Sequence, residues 1–102
     1  MIKVLETNEF NKEVQEGVVV VDFFATWCPP CKMLAPVFEE VSTELTKAKF
    51  VKVDIDQSMK IAQKHSITSV PTVMVFKNGE PVERLVGFTP KENLKSKIAA
   101  HI

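Results

Sequence analysis

The longest apolar run of the chain is Val18–Ala25 (VVVVDFFA), four valines followed by Asp22, two phenylalanines and an alanine. A run that is continuous rather than alternating, and β-branched in its first half, predicts a central strand covered on both faces. Lys49–Ile55 (KFVKVDI) predicts a second central strand, with Val51, Val53 and Ile55 on one face. Between the two, Met33, Leu34, Val37, Phe38, Val41 and Leu45 recur at helical spacing. They predict a helix from the cysteines to about Leu45, kinked at Pro36 because its ring clashes with the preceding turn.

Shorter signals fill in the rest. Residues 2–5 (IKVL) read as a short strand, and Thr7 offers an N-cap for a helix on which Phe10 and Val14 pair at i, i+4. Ser58 caps a short helix reaching His65. Strands at 72–76 (TVMVF) and 82–87 (VERLVG) flank Asn78-Gly79, a pair that tolerates positive φ and so predicts a hairpin. Gly87 marks a bulge or a close approach. Residues 89–92 (TPKE) have the pattern of a capping box with Pro90 at the first helical position, opening a helix to the end.

The element order β-α-β-α-β-α-β-β-α predicts an α/β fold with a central mixed sheet and helices on both faces. The early crossovers make parallel neighbours and the late hairpin an antiparallel pair. With 102 residues, 45% hydrophobic and 25% charged, the chain is expected to form a single domain over residues 1–102, whose core needs no disulfide or metal. Thirteen basic and thirteen acidic residues balance, leaving no long-range field for nucleic acid or anionic lipid. Neither is an expected partner, and a monomer is expected. Met1 leads into IKVLETNEF, acidic where a leader would be apolar, and the longest apolar run is too short to span a bilayer. A cytoplasmic location is the expectation.

In sheets of this kind, sites form where a central strand ends and its helix begins. Cys28 lies at that junction, in the segment TWCPPCKMLAP (26–36) that holds both cysteines of the chain. Three chemistries compete for such a pair. Zinc wants four ligands, usually as two close pairs, whereas this chain has one pair and two distant histidines, His65 and His101. No metal site is expected. A structural staple gains little from so small a ring, because the stabilisation grows with loop length. The redox reading accounts for each neighbour. A helix N-terminus stabilises a thiolate through its unpaired N–H groups and dipole. With Cys28 as N-cap, its sulfur can accept from the Cys31 amide, while Pro29 and Pro30 occupy the positions where a missing N–H costs nothing. Lys32 adds positive potential. The stiff bracket is expected to present Cys28 outward as the attacker of a disulfide, with Cys31 behind it as the resolver of the mixed disulfide.

Beyond the pair, VVVDFFATWCPPCKMLAPVFEEV, VKVDIDQ, ITSVPTVMVFKNGEPVERLVG and the final helix resemble the thioredoxin family end to end, in that family's order. The resemblance implies the thioredoxin fold and a dithiol–disulfide oxidoreductase that reduces disulfides in substrate proteins. It implies that Asp22 is the buried acid that helps move the proton of Cys31, with Lys52 near it. An aspartate inside an apolar strand needs such a reason, since burying a charge is costly. It further implies that Pro71 is a cis-proline facing the cysteines. Trp27 and the backbone around Val70 and Gly87, beside Pro29 and Pro30, would then make a flat apolar surface for docking substrate chains. The implied partners are thioredoxin reductase, drawing on NADPH, and disulfide-containing proteins, with no cofactor bound to this chain.

Two departures from the family pattern stand out. Pro29 replaces the usual glycine between the cysteines, removing an N–H near the sulfur and narrowing the loop. The reduction potential is therefore expected to differ from that of a Pro29→Gly variant. Phe24 stands where the family frequently carries a second tryptophan. Two rival readings remain open at this point: an oxidant or isomerase of the same fold tuned by Pro29, and a binding subunit whose cysteines are incidental.

Overall fold

The computed structural model describes residues 2–102. The chain runs through β1 (Lys3–Val4), a 3₁₀ turn (Thr7–Glu9) continuing into α1 (Phe10–Glu13), β2 (Val18–Phe24) and α2 (Pro29–Glu44). It goes on through β3 (Lys49–Asp54), α3 (Met59–Lys64), β4 (Thr72–Lys77), β5 (Glu80–Val86) and α4 (Lys91–Ala99). The five strands lie in the order β1-β3-β2-β4-β5. β1 and β2 run parallel to β3, while β4 is antiparallel to β2 and β5 to β4. This is the predicted element order and the predicted mixed sheet.

The apolar run of β2 has its physical reason in the layers. Val19, Val21 and Phe23 point into one core, against Phe10 of α1 and Ile61 of α3. Val20 points into the other, against Leu34, Phe38 and Val41 of α2 and Leu94 and Ile98 of α4. Both faces of the central strand are buried, so alternation vanishes. The alternation continues beneath the surface, however. Asp22 and Phe24 share the face of Val20, under α2.

Several helix starts differ from expectation. Thr7 does not cap a helix. The Glu9 carboxylate closes the 3₁₀ turn instead, accepting from the Glu6 N–H at 2.8 Å. The Thr7 hydroxyl donates to Ser58 Oγ at 3.0 Å, and Ser58 makes no side-chain cap to α3, although it occupies the N-cap position. The two predicted caps are thus engaged with each other, tying the entries of α1 and α3 together. The third cap also fails. Pro90 sits at the N-cap with ψ 153°, one residue outside α4, and Thr89 turns toward the Gly87 carbonyl at 3.5 Å. Partners outside the helix compete for each hydroxyl, acceptors for those of Thr7 and Thr89 and a donor for that of Ser58, and in these three cases they win.

Pro36 lies inside α2 and leaves the Lys32 carbonyl without its helical donor. The bulge falls elsewhere than at Gly87. Register slips between Val75 and Phe76, whose partners are Glu83 and Pro81, so Val82 is the extra residue. Gly87 has φ +88°, and its N–H donates to the Pro71 carbonyl at 2.8 Å. An added Cβ there would meet nothing within 4 Å, so the demand on this position is its dihedral rather than space.

The hairpin is where predicted, with Asn78 at φ 50° and Gly79 at φ 87°. Asn78 does more than turn the chain. Its N–H donates to the Gly17 carbonyl at 2.9 Å, and its Oδ1 accepts from the Gly17 N–H at 2.9 Å. The turn is clamped to the entry of β2. Replacing Asn78 with alanine removes one of these bonds and places a less tolerant residue at positive φ. A loss of about 1–2 kcal/mol is expected, read as a lower urea midpoint at unchanged slope.

Candidate functional site

Where β2 ends, the chain turns through Ala25, Thr26 and Trp27 and enters α2 at once. Cys28 is the N-cap of α2, with φ −97° and ψ 111°, the extended conformation that a residue before proline favours. Its sulfur accepts from the Cys31 N–H at 3.2 Å, and Pro29 and Pro30 fill the first two helical positions. The two cysteines form a disulfide with their Cα atoms 5.3 Å apart. The bracket predicted from the spacing is therefore present.

The exposure of Cys28 is a correction. It was expected to face outward with Cys31 behind it, yet only 3% of Cys28 and 4% of Cys31 are exposed. In the disulfide the sulfurs cover each other, and Cys28 packs in a small cluster with Ala25, Phe24, Ile55 and Val70. Access comes from two hollows. Cys28 lines a largely apolar groove of about 360 Å³ with Trp27, Pro29, Pro30, Ile55, Ile67 and residues 68–70. Cys31 lines a smaller hollow of about 210 Å³ with Phe24, Ala25, Thr26, Lys32, Ala35 and Lys52. The two cysteines line different hollows.

The groove is bounded by residues from distant parts of the chain. The Val70–Pro71 bond is cis, and Cys28 Sγ lies 3.6 Å from the Val70 carbonyl oxygen. The Gly87 N–H bond to Pro71 fastens the end of β5 to this wall. Trp27 is 65% exposed at the rim, and its indole Nε1 donates to Asp56 Oδ2 at 2.9 Å. Asp56 and Ile67 were not singled out from the sequence. The second aspartate in VKVDIDQ carries no local sign that it will meet an indole 29 residues away.

Asp22 is fully buried, and neither carboxylate oxygen has a hydrogen-bond partner. Burial pushes its pKa up from the ordinary 3.8 to about 6, with the positive charge of Lys52 pulling the other way. Lys52 is the register partner of Asp22 on β3, and its ammonium lies over the Phe24 ring, 4.5 Å from the centroid. The structure thus gathers Trp27, Cys28, Pro29, Pro30 and Val70 around one groove, fastened through Pro71 to Gly87. It gathers Cys31 and Lys52 around the other hollow, with Asp22 under the same face.

Metal chemistry finds no cluster here. Among the described residues, no group of three or more His, Cys, Asp or Glu side chains is placed to hold an ion. His65 packs among the rings of Phe10, Phe23 and Phe76, and His101 lies 3.4 Å from Glu83. No helix among the described residues is long and apolar enough to cross a membrane.

Residues 1–100 match the family model described as Thioredoxin. The chain belongs to the thioredoxin family. It is 48% identical over its whole length to the thioredoxin of Staphylococcus saprophyticus, covering 98% of that protein. The thioredoxin of Staphylococcus aureus is 46% identical over the same span. Among solved structures it is similar to a thioredoxin from Plasmodium falciparum, with 41% identity, a TM-score of 0.93, and coverage of 99% of this chain and 100% of that one. The thioredoxin fold predicted from the sequence is therefore shown. So is the enzyme class: a thiol–disulfide oxidoreductase whose redox-active pair is Cys28 and Cys31.

The buried carboxyl of this thioredoxin-family chain makes a testable demand on stability. Because its folded pKa is raised, the native state holds the Asp22 proton more tightly than the unfolded chain does. Ionising it therefore costs stability. The cost is absent below about pH 4, grows as pH rises toward about 6, and is complete above. Asp22→Asn should remove that slope and stabilise the protein at pH 8 by up to about 3 kcal/mol, the equivalent of the shift. Urea unfolding of both proteins at pH 4 and pH 8 measures it.

Proposed function

We propose that this chain reduces disulfides in other proteins by dithiol–disulfide exchange, acting as a single domain over residues 1–102 and as a monomer. In the reduced form, the Cys28 thiolate attacks one sulfur of a substrate disulfide. A new Cys28–substrate S–S bond forms, and the other substrate sulfur leaves as thiolate and takes up a proton. Asp22 accepts the proton of Cys31, whose thiolate then attacks Cys28 Sγ. The Cys28–Cys31 bond forms, the second substrate sulfur leaves, and two electrons have passed to the substrate.

The observation that carries this reading is Cys28 at the N-cap of α2, accepting from the Cys31 N–H while lining an apolar groove. Helix-terminal N–H groups and dipole favour the thiolate over the thiol, and so the attacker. The groove supports docking of an extended substrate segment against Trp27, Val70, Pro71 and Gly87, flanked by Pro29 and Pro30. Lys52 supplies positive charge on the Cys31 side. Return to the dithiol is assigned to thioredoxin reductase using NADPH, with no cofactor held by this chain, in a reducing cytoplasm. Relatives that carry the name thioredoxin support that assignment.

The order of attack is directly testable. Cys31→Ser should accumulate a mixed disulfide with protein substrates through Cys28, stable until a reductant is added. Cys28→Ser should form none, and both variants should lose protein-disulfide turnover to the uncatalysed level. Trapping through residue 31 instead would reverse the roles of the two sulfurs. A biological role that survives Cys31→Ser without any trapped species would favour the binding subunit over the enzyme.

A further inference from the structure

Lys52 takes part in none of the ion pairs among the described residues. Its carboxylate neighbour is the partnerless Asp22, beside it in the parallel register of β2 and β3 and on the same face of the sheet. Phe24 lies two residues beyond Asp22 on β2 and so shares that face. Phe24, Lys52 and Cys31 line one hollow. A lysine has four flexible bonds and a strongly hydrated head, so without a carboxylate paired to it its charge wanders toward water. Here something holds it. The ammonium rests over the Phe24 ring, 4.5 Å from the centroid, where the ring's negative face attracts it.

We infer that Phe24 is a positioning residue: its ring keeps the Lys52 ammonium at the hollow behind Cys31, close enough to Asp22 to set the pH at which that carboxyl exchanges its proton. The coupling itself follows from the geometry. Only its consequence for turnover rests on the proposed role of Asp22 as acceptor of the Cys31 proton. The groups that face Asp22 are few. Lys52 comes from β3, the β4 partner Val73 brings no charge, and from α2 Lys32 and Cys31 line the hollow that Lys52 shares.

Two roles for the ring predict opposite signs, because burial raises the Asp22 pKa and Lys52 lowers it. A ring that merely covers the carboxyl would, once shortened, admit water and lower the pKa. A ring that holds the ammonium would, once removed, let the charge retreat and raise it. The retreat of a unit charge from about 6 to about 8 Å, at an effective dielectric of about 20, corresponds to about 0.5 pH unit.

Carbon-13 NMR titration of the Asp22 carboxyl in the oxidised protein reads this directly. Phe24→Leu should raise the Asp22 pKa by about 0.5 unit, and Phe24→Trp, which keeps an aromatic face, should leave it at the wild-type value. Lys52→Met should raise it further, and adding Phe24→Leu to Lys52→Met should change nothing more. A fall or no change in Phe24→Leu overturns the inference, as does an equal rise when Lys52 is already methionine. Stopped-flow resolution of a mixed disulfide should show its pH profile displaced to higher pH by the same amount in Phe24→Leu. A carboxyl titration that moves while the resolution profile stays put would uphold the Phe24–Lys52 coupling and overturn Asp22 as the proton acceptor.

Discussion

The burial of β2 on both faces is the constraint from which the rest of the molecule follows. A strand with Val19, Val21 and Phe23 on one side and Val20 on the other cannot be satisfied by a single layer of helices. Helices must therefore lie above and below it, and the chain that leaves β2 must turn at once into α2 to supply one of those layers. The N-terminus of α2, with its unpaired amides and positive dipole end, is then held at the end of the central strand. Cys28 occupies that spot. Its chemistry is inherited from the packing: the same helix that covers Val20 with Leu34, Phe38 and Val41 aims its first turn at the sulfur.

That packing also explains why Asp22 is costly and why the cost is local. A carboxyl on the α2 face, two residues from the end of the strand, lies among side chains that offer it no hydrogen bond. The protein could lower the cost further with one hydrogen-bonding serine or with a lysine paired directly to the carboxylate. It leaves the carboxyl partnerless instead, with the nearest cation held over a phenyl ring rather than paired. A carboxyl at its ordinary pKa would be a poor proton acceptor near neutrality, whereas one near 6 exchanges readily. Stability given up at this buried carboxyl is what the proposed proton-handling role of Asp22 would require.

The parts of the fold that sequence revealed are those in which the information is local and repeated. The unbroken run of β2, the helical spacing from Met33 to Leu45 and the Asn78-Gly79 turn each state one structure several times over. The Cys28 cap was legible for a different reason: two prolines leave the residue before them little choice but an extended conformation. Most of the misreadings are cases of one hydroxyl or one sulfur choosing among partners. Thr7 and Ser58 took each other, and Thr89 took a carbonyl outside its helix. The C-terminal end of α3 is closed by Arg84 of β5, whose guanidinium donates to the carbonyls of His65 and Ser66 at 2.5 and 3.4 Å. Such choices depend on what the fold brings near, and no window of neighbouring residues contains it. The same holds for Trp27, which was singled out, and its partner Asp56, which was not.

The near-burial of both sulfurs gains its meaning from the two hollows. An attacker that stood proud of the surface would meet any oxidant or thiol in solution, and its selectivity would rest on nothing but its pKa. Here Cys28 lines an apolar groove walled by Trp27, Pro30 and Val70, so in the proposed exchange a disulfide would reach it on a chain that fits the groove. The route to Cys31 is a separate and smaller hollow with Lys52 at its wall. Separation of the two routes divides the labour of exchange physically. In the proposed exchange the substrate's sulfur would arrive on one side and charge would be managed on the other, so a docked chain would leave open the space in which the resolving sulfur becomes a thiolate.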